Sequence, residues 1–157
     1  MKPRLYLETT IPSYLVARRS RDLRLAADQE TTEEWWETQR QNYELYISPF
    51  VRTEVERGDS RAAAARLALL QGVFVLPELD SARHLADALV AAGLIPSQAP
   101  LDAAHVATAT VHGMEYLLTW NCKHIHNVAT LRHIERLCER LGYNCPIICT
   151  PDDLMGT

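Results

Sequence analysis

Three carboxylates sit where the pattern of the chain changes, and they are the first candidates for chemistry. Glu8 closes RLYLE, a short run of β-prone residues, immediately before Thr9, Thr10, Ile11 and Pro12. Glu54 follows Phe50 by four positions and Val51 by three on the helix expected after Ser48-Pro49, so it shares their inward side, whereas Glu56 stacks over Arg52 and Thr53. Asp102 falls in the first turn of a small-residue helix, LDAAHVATATVHG. The plain alternatives are an edge or capping glutamate at Glu8 and a surface ion pair with a neighbouring Arg at Glu54. Should the three converge, their charges would repel and raise one another's pKa unless a cation joined them. Hard oxygen ligands favour Mg²⁺ or Mn²⁺ over zinc. Such an ion activates water and clamps a phosphoryl oxygen, which is the chemistry of phosphodiester hydrolysis.

The stretch Leu101 to Asn127 carries most of the remaining polar chemistry. Gly113 ends the Asp102 helix, and a short apolar strand, Glu115 to Thr119, delivers Thr119, Asn121, Lys123, His124, His126 and Asn127 to its carboxyl end. Ligands bind open α/β sheets at the carboxyl ends of the strands. A zinc site from Cys122, His124 and His126, with or without His105, is the competing reading, but the spacing matches no zinc pattern. Lys123 and the histidines fit phosphate contact or mutual hydrogen bonding better. His105, on an otherwise small apolar helix, reads as a hydrogen-bonded core histidine.

The elements that must position these residues follow from start and stop signals. Thr31 and Glu34 match a capping box, which places a helix from there through Trp35 and Trp36 to about Tyr46, with both tryptophans expected to pack on the core. A strand at Tyr46 to Ser48 leads into Ser48-Pro49, a favoured N-cap and first helical position. Gly58, Gly72 and Gly93 bracket two further helices and a strand at Val73 to Leu76, with Asp80 as a cap. Asn127 caps a helix to Leu141, and Pro146 to Cys149 reads as the last strand. Strands alternating with helices to the end predict a single α/β domain over residues 1–157, with a mainly parallel central sheet flanked by helices.

Composition narrows the function classes. Hydrophobic residues make up 47% and charged residues 23% of the 157, enough for a core without disulfide or metal staples. A net charge of -4 argues against nucleic-acid binding by broad basic coverage, leaving a small local footprint. Arg18, Arg19, Arg21 and Arg24 form the densest positive run, read either as a phosphate-contacting arm or as a solvated face balanced by Asp22 and Asp28. The four cysteines form no C-x-x-C pair, MKPRLYLETT lacks a signal-peptide core, and no run is long enough for a membrane span. The expected location is a reducing cytoplasm, away from membranes.

Four motifs in order, YLETTIPSYL, SPFVRTEVERG, LDAAHVATATVHG and YLLTWN, resemble the PIN domain family, the fold of VapC-like toxins of bacterial toxin-antitoxin pairs. The resemblance spans nearly the whole chain and implies a PIN-like fold that cleaves RNA with Mg²⁺ or Mn²⁺. It implies Glu8, Glu54 and Asp102 as metal-site carboxylates, Asn121 as the fourth catalytic position, and Thr9 and Thr119 as hydroxyl supports. Lys123, Arg18 and Arg19 are the candidate nucleic-acid contacts. An antitoxin protein and a second copy of the chain are the candidate protein partners. Two positions depart from the family pattern. Glu8 stands where Asp is usual and reaches one methylene further, and Asn121 stands where Asp is usual and removes a charge. Weaker metal binding is the expected result, and a non-catalytic interaction module of the same fold is the alternative.

Overall fold

The computed structural model describes residues 1–156. Its strands are β1 (Arg4–Leu7), β2 (Glu44–Ile47), β3 (Phe74–Val75), β4 (Tyr116–Leu118) and β5 (Ile147–Cys149). Its helices are α1 (Thr10–Val16), α2 (Leu23–Thr38), α3 (Pro49–Val55), α4 (Ser60–Leu69), α5 (Asp80–Ala91), α6 (Pro100–Val111) and α7 (Val128–Arg140). The five strands form one sheet in the order β3-β2-β1-β4-β5, with every neighbouring pair parallel. The α/β class with a parallel sheet flanked by helices is therefore as expected.

Strand order explains where a site must lie. The chain begins in the central strand, steps outward through β2 and β3, then returns to the other side of β1 with β4 and β5. That reversal opens a crevice at the carboxyl ends of β1 and β4, the switch point where ligands bind in this architecture. Leu7 pairs with Leu118 there, so Glu8 and Thr119 leave the sheet side by side. Leu5, Tyr6, Leu7, Leu117 and Leu118 are all fully buried, as a strand covered on both faces requires.

Helix α6 packs through its small residues: Ala103, Val106, Ala107 and Ala109 are buried, and their lack of bulk lets the helix lie close. Gly113, at φ 71°, then turns the chain toward β4 in a conformation that side-chain-bearing residues rarely adopt. Arg4 locks this turn by donating to the Gly113 carbonyl at 2.7 Å.

Several boundaries differ from the sequence reading. Helix α2 starts eight residues before Thr31, at Leu23, because Asp22 accepts from the Leu25 N–H and caps it there. Thr31 and Glu34 are thus mid-helix, and the same helix ends at Thr38, since a 3-10 turn (Arg40–Asn42) intervenes before β2. Asp80 is the first helical residue of α5, with Leu79 in the cap position. Of the two tryptophans, Trp35 is fully buried, while Trp36 is only partly so and carries the Arg40 guanidinium 4.6 Å from its ring centroid. Ser48 does cap α3, with Pro49 at its first position, and Asn127 caps α7 by accepting from the Ala129 N–H.

Candidate metal centre

Glu8 leaves β1 only 3% exposed, and its carboxylate is caught at once by hydroxyls. Its Oε1 accepts from the Thr10 N–H at 3.1 Å, the Thr10 hydroxyl at 2.5 Å and the Thr119 hydroxyl at 2.7 Å. The same hydroxyls accept in turn, Thr10 from the Trp120 N–H and Thr119 from the Asn121 N–H, each at 2.8 Å. The ends of β1 and β4 are thereby knotted around one carboxylate oxygen. Charge-assisted hydrogen bonds of this kind are about twice as strong as neutral ones.

Glu54 comes from the last turn of α3 and faces the same place, its side chain 22% exposed, whereas Glu56 is exposed. Its Oε1 accepts from the Thr9 hydroxyl at 2.6 Å and lies 2.5 Å from His105 Nε2. Ligand atoms of Glu8, Glu54 and His105 all fall within 4.8 Å of one another, and this is the one such group among the described residues. Among the described residues neither carboxylate has a protein donor on Oε2, and neither Oε2 is among the sealed, unpaired side-chain atoms. Each acid therefore spends Oε1 on the protein and leaves Oε2 open. Two carboxylates grouped this closely fit a hard divalent cation.

Asp102, in the first turn of α6, takes a different partner. Its Oδ2 accepts from His124 Nδ1 at 2.8 Å, and it is not part of the group around Glu8 and Glu54. Asn121 joins it indirectly, since Asn121 Oδ1 accepts from the His124 N–H at 3.0 Å. The candidate residues thus fall into two adjoining sets, Glu8 and Glu54 with their threonines, and Asp102 and Asn121 bridged by His124. The Cys122, His124 and His126 triplet divides in the same way: His124 goes to Asp102, while His126 sits 4.0 Å from the Cys122 sulfur and 3.5 Å from Asp153. Arg19 is committed to Glu33 and to the Ala26 carbonyl, and Arg18 and Lys123 are exposed.

Three participants escaped the sequence reading. Thr10 holds Glu8 through a local turn, and the E-T-T triplet was the signal that pointed to it. His124 as the partner of Asp102 needed the crossing of the β4 loop over α6, which no local pattern reveals. His105 was read as a core histidine, which its full burial and bonds at both ring nitrogens bear out, but its contact with Glu54 spans 51 positions.

Electrostatics keep Glu54 ionised. Burial pushes its carboxyl up, but the His105 hydrogen bond, the Thr9 hydroxyl and the Arg57 charge outweigh this and hold it below the usual glutamate range. A depressed native pKa contributes stability that is present above the unfolded value and lost as pH falls through the native one. Wild-type stability relative to Glu54→Gln is therefore expected to decline as pH drops from about 7 to about 3. Urea melts of both proteins across that range measure it, and a gap that grows toward acid would contradict the assignment.

The PIN domain family model matches residues 5–129, which contain every site residue described above. The chain belongs to the PIN domain family. Members are in general metal-dependent nucleases, and Glu8, Glu54 and His105 form a group that could hold a cation. Among solved structures, the chain is similar to VapBC2 from Rickettsia felis bound to a DNA fragment from the promoter of that pair. The TM-score is 0.58 and the identity 15%, over 93% of this chain and 97% of the other. At that identity the likeness concerns the fold of the PIN domain. No curated protein matches the chain. Among the described residues no helix is long and apolar enough to cross a membrane.

Proposed function

We propose that this PIN domain is a divalent-metal-dependent endoribonuclease and the toxin half of a toxin-antitoxin pair. The observation that carries the reading is the pair of carboxylates, Glu8 and Glu54, each held by the protein through Oε1 and grouped with ligand atoms within 4.8 Å of one another. Mg²⁺ or Mn²⁺ held there would polarise a phosphodiester and activate a water nucleophile.

The chain's own residues supply position and charge. Glu8 and Glu54 would hold the ion, and Thr9, Thr10 and Thr119 already fix their orientation, so little reorganisation would accompany binding. Asp102 and Asn121, both bonded to His124, would act on the water or the departing oxygen. Lys123, exposed on the same loop, is the cation placed to meet an RNA phosphate, with Arg18 and Arg19 as further candidate contacts. The fold shared with VapBC2 supports an antitoxin partner, and a second copy of the chain is the other candidate. The cytoplasm is the proposed location.

The engagement of Asp102 with His124, together with an amide at Asn121, favours one second reading: a PIN-fold interaction module with weak or no hydrolysis. Incubating the protein with a single-stranded RNA pool separates the two. The nuclease reading expects cleavage with Mg²⁺ or Mn²⁺, none in EDTA, and loss of cleavage in Asp102→Asn with the fold retained. Absence of cleavage from the wild type under every metal condition, with capture of a partner intact, favours the module.

A further inference from the structure

His105 is fully buried, yet both of its ring nitrogens and three other polar side chains form one continuous chain of contacts. Ser48 Oγ lies 2.7 Å from Tyr6 Oη, Tyr6 Oη lies 2.7 Å from His105 Nδ1, and His105 Nε2 lies 2.5 Å from Glu54 Oε1. Ser48 Oγ in turn accepts from the Val51 N–H in the first turn of α3, at 3.4 Å. The path starts in α3, crosses β1 and α6, and ends on the last turn of α3.

We propose that Ser48, Tyr6 and His105 form a relay that positions Glu54, clamping its Oε1 so that Oε2 alone is presented to the cation. The proposal rests on the metal-site reading above. Counting protons fixes the direction. An ionised carboxylate only accepts, so Nε2 carries the hydrogen and donates to Glu54. In a ring with a single proton, Nδ1 is then an acceptor, and the hydrogen between it and Tyr6 belongs to the phenol. Tyr6 oxygen accordingly accepts from the Ser48 hydroxyl, whose own lone pair accepts the Val51 amide. Every donor points the same way and every buried side-chain polar atom of the relay is satisfied. Burial raises the Tyr6 phenol well above its ordinary value, so it stays a donor throughout the physiological range.

This direction has a chemical consequence. Nε2 bearing a hydrogen has no lone pair for a metal, so His105 stands beside the cation without coordinating it. The ligand set stays all oxygen and suits hard ions. His105 is thus a positioning residue, acting on the metal through Glu54 as outer ligands to metal sites do.

The test uses the full chain, with Mn²⁺ as probe. Electron paramagnetic resonance titration is expected to show Mn²⁺ binding to wild type, weakened by about 10–100-fold in His105→Leu, the range typical of lost outer ligands. His105→Gln, which can return an N–H near the Nε2 position, is expected to recover most of that affinity. Tyr6→Phe should fall between them. In the metal-free wild type, ¹⁵N shifts of the singly protonated His105 ring should report the Nε2–H tautomer, a reading that holds even if His105→Leu does not fold. Equal affinity in wild type and His105→Leu would overturn the relay alone, as would the Nδ1–H tautomer or a directly coordinated nitrogen in pulsed spectra of the bound Mn²⁺. A wild type that binds no Mn²⁺ would overturn the metal-site reading, and the relay with it.

Discussion

Cleavage of RNA is expected to fall by three orders of magnitude or more when Glu8 or Glu54 is replaced by glutamine, with metal affinity falling in parallel. The scale follows from the several kcal/mol of transition-state stabilisation that a bound metal contributes, at roughly 1.4 kcal/mol for each tenfold in rate. Glutamine is the informative choice at Glu8. It retains an oxygen for the Thr10 and Thr119 hydroxyls while removing the charge that draws the ion. Glu8→Ala would also leave the buried Thr119 hydroxyl without its acceptor, a cost of about 1–3 kcal/mol that confuses loss of chemistry with loss of fold. Single-turnover cleavage of a defined RNA, read beside a thermal melt, separates the two. Full activity in Glu8→Gln would remove Glu8 from the site.

The largest effect on stability is expected at Trp35. It is fully buried on α2, its ring centroid is 5.8 Å from that of Tyr43, and Tyr43 meets Tyr116 of β4 edge-on at 5.6 Å. This aromatic series fastens the longest helix to the sheet. Trp35→Ala should cost about 3–5 kcal/mol and lower Tm on the order of 10 °C. The indole Nε1 finds no acceptor among the described residues, so Trp35→Phe forfeits no hydrogen bond there and should cost much less. Urea denaturation of the two variants measures the difference, and equal losses would show that volume is not what matters there.

Legibility in the sequence followed the range of the interaction. Ser48-Pro49, Asn127 and Gly113 declare helix ends through bonds a few residues long, and each end lies where those residues put it. The alternation of elements sufficed for a parallel sheet. Thr31 and Glu34 misled because a capping box can occur inside a helix that another cap has already started, and Asp22 was that cap. In the crevice, the direction of Glu54 was readable from its spacing to Phe50 and Val51. The pairing of Asp102 with His124 and the approach of His105 to Glu54 were not, because both depend on how α6 lies across β1 and the β4 loop.

The place of β1 in the sheet carries a consequence for the order in which the molecule matures. The first strand made is the central one, and one of its two neighbours, β4, ends at Leu118. A ribosome-bound chain that has released only its first hundred residues can pair β1 with β2 and β3, but the Thr119 hydroxyl that completes the grip on Glu8 does not yet exist outside the tunnel. Long-range parallel pairing is slow to form in any case. Competence at this crevice therefore waits for β4, and a truncated product ending before Thr119 is left with an unfinished centre.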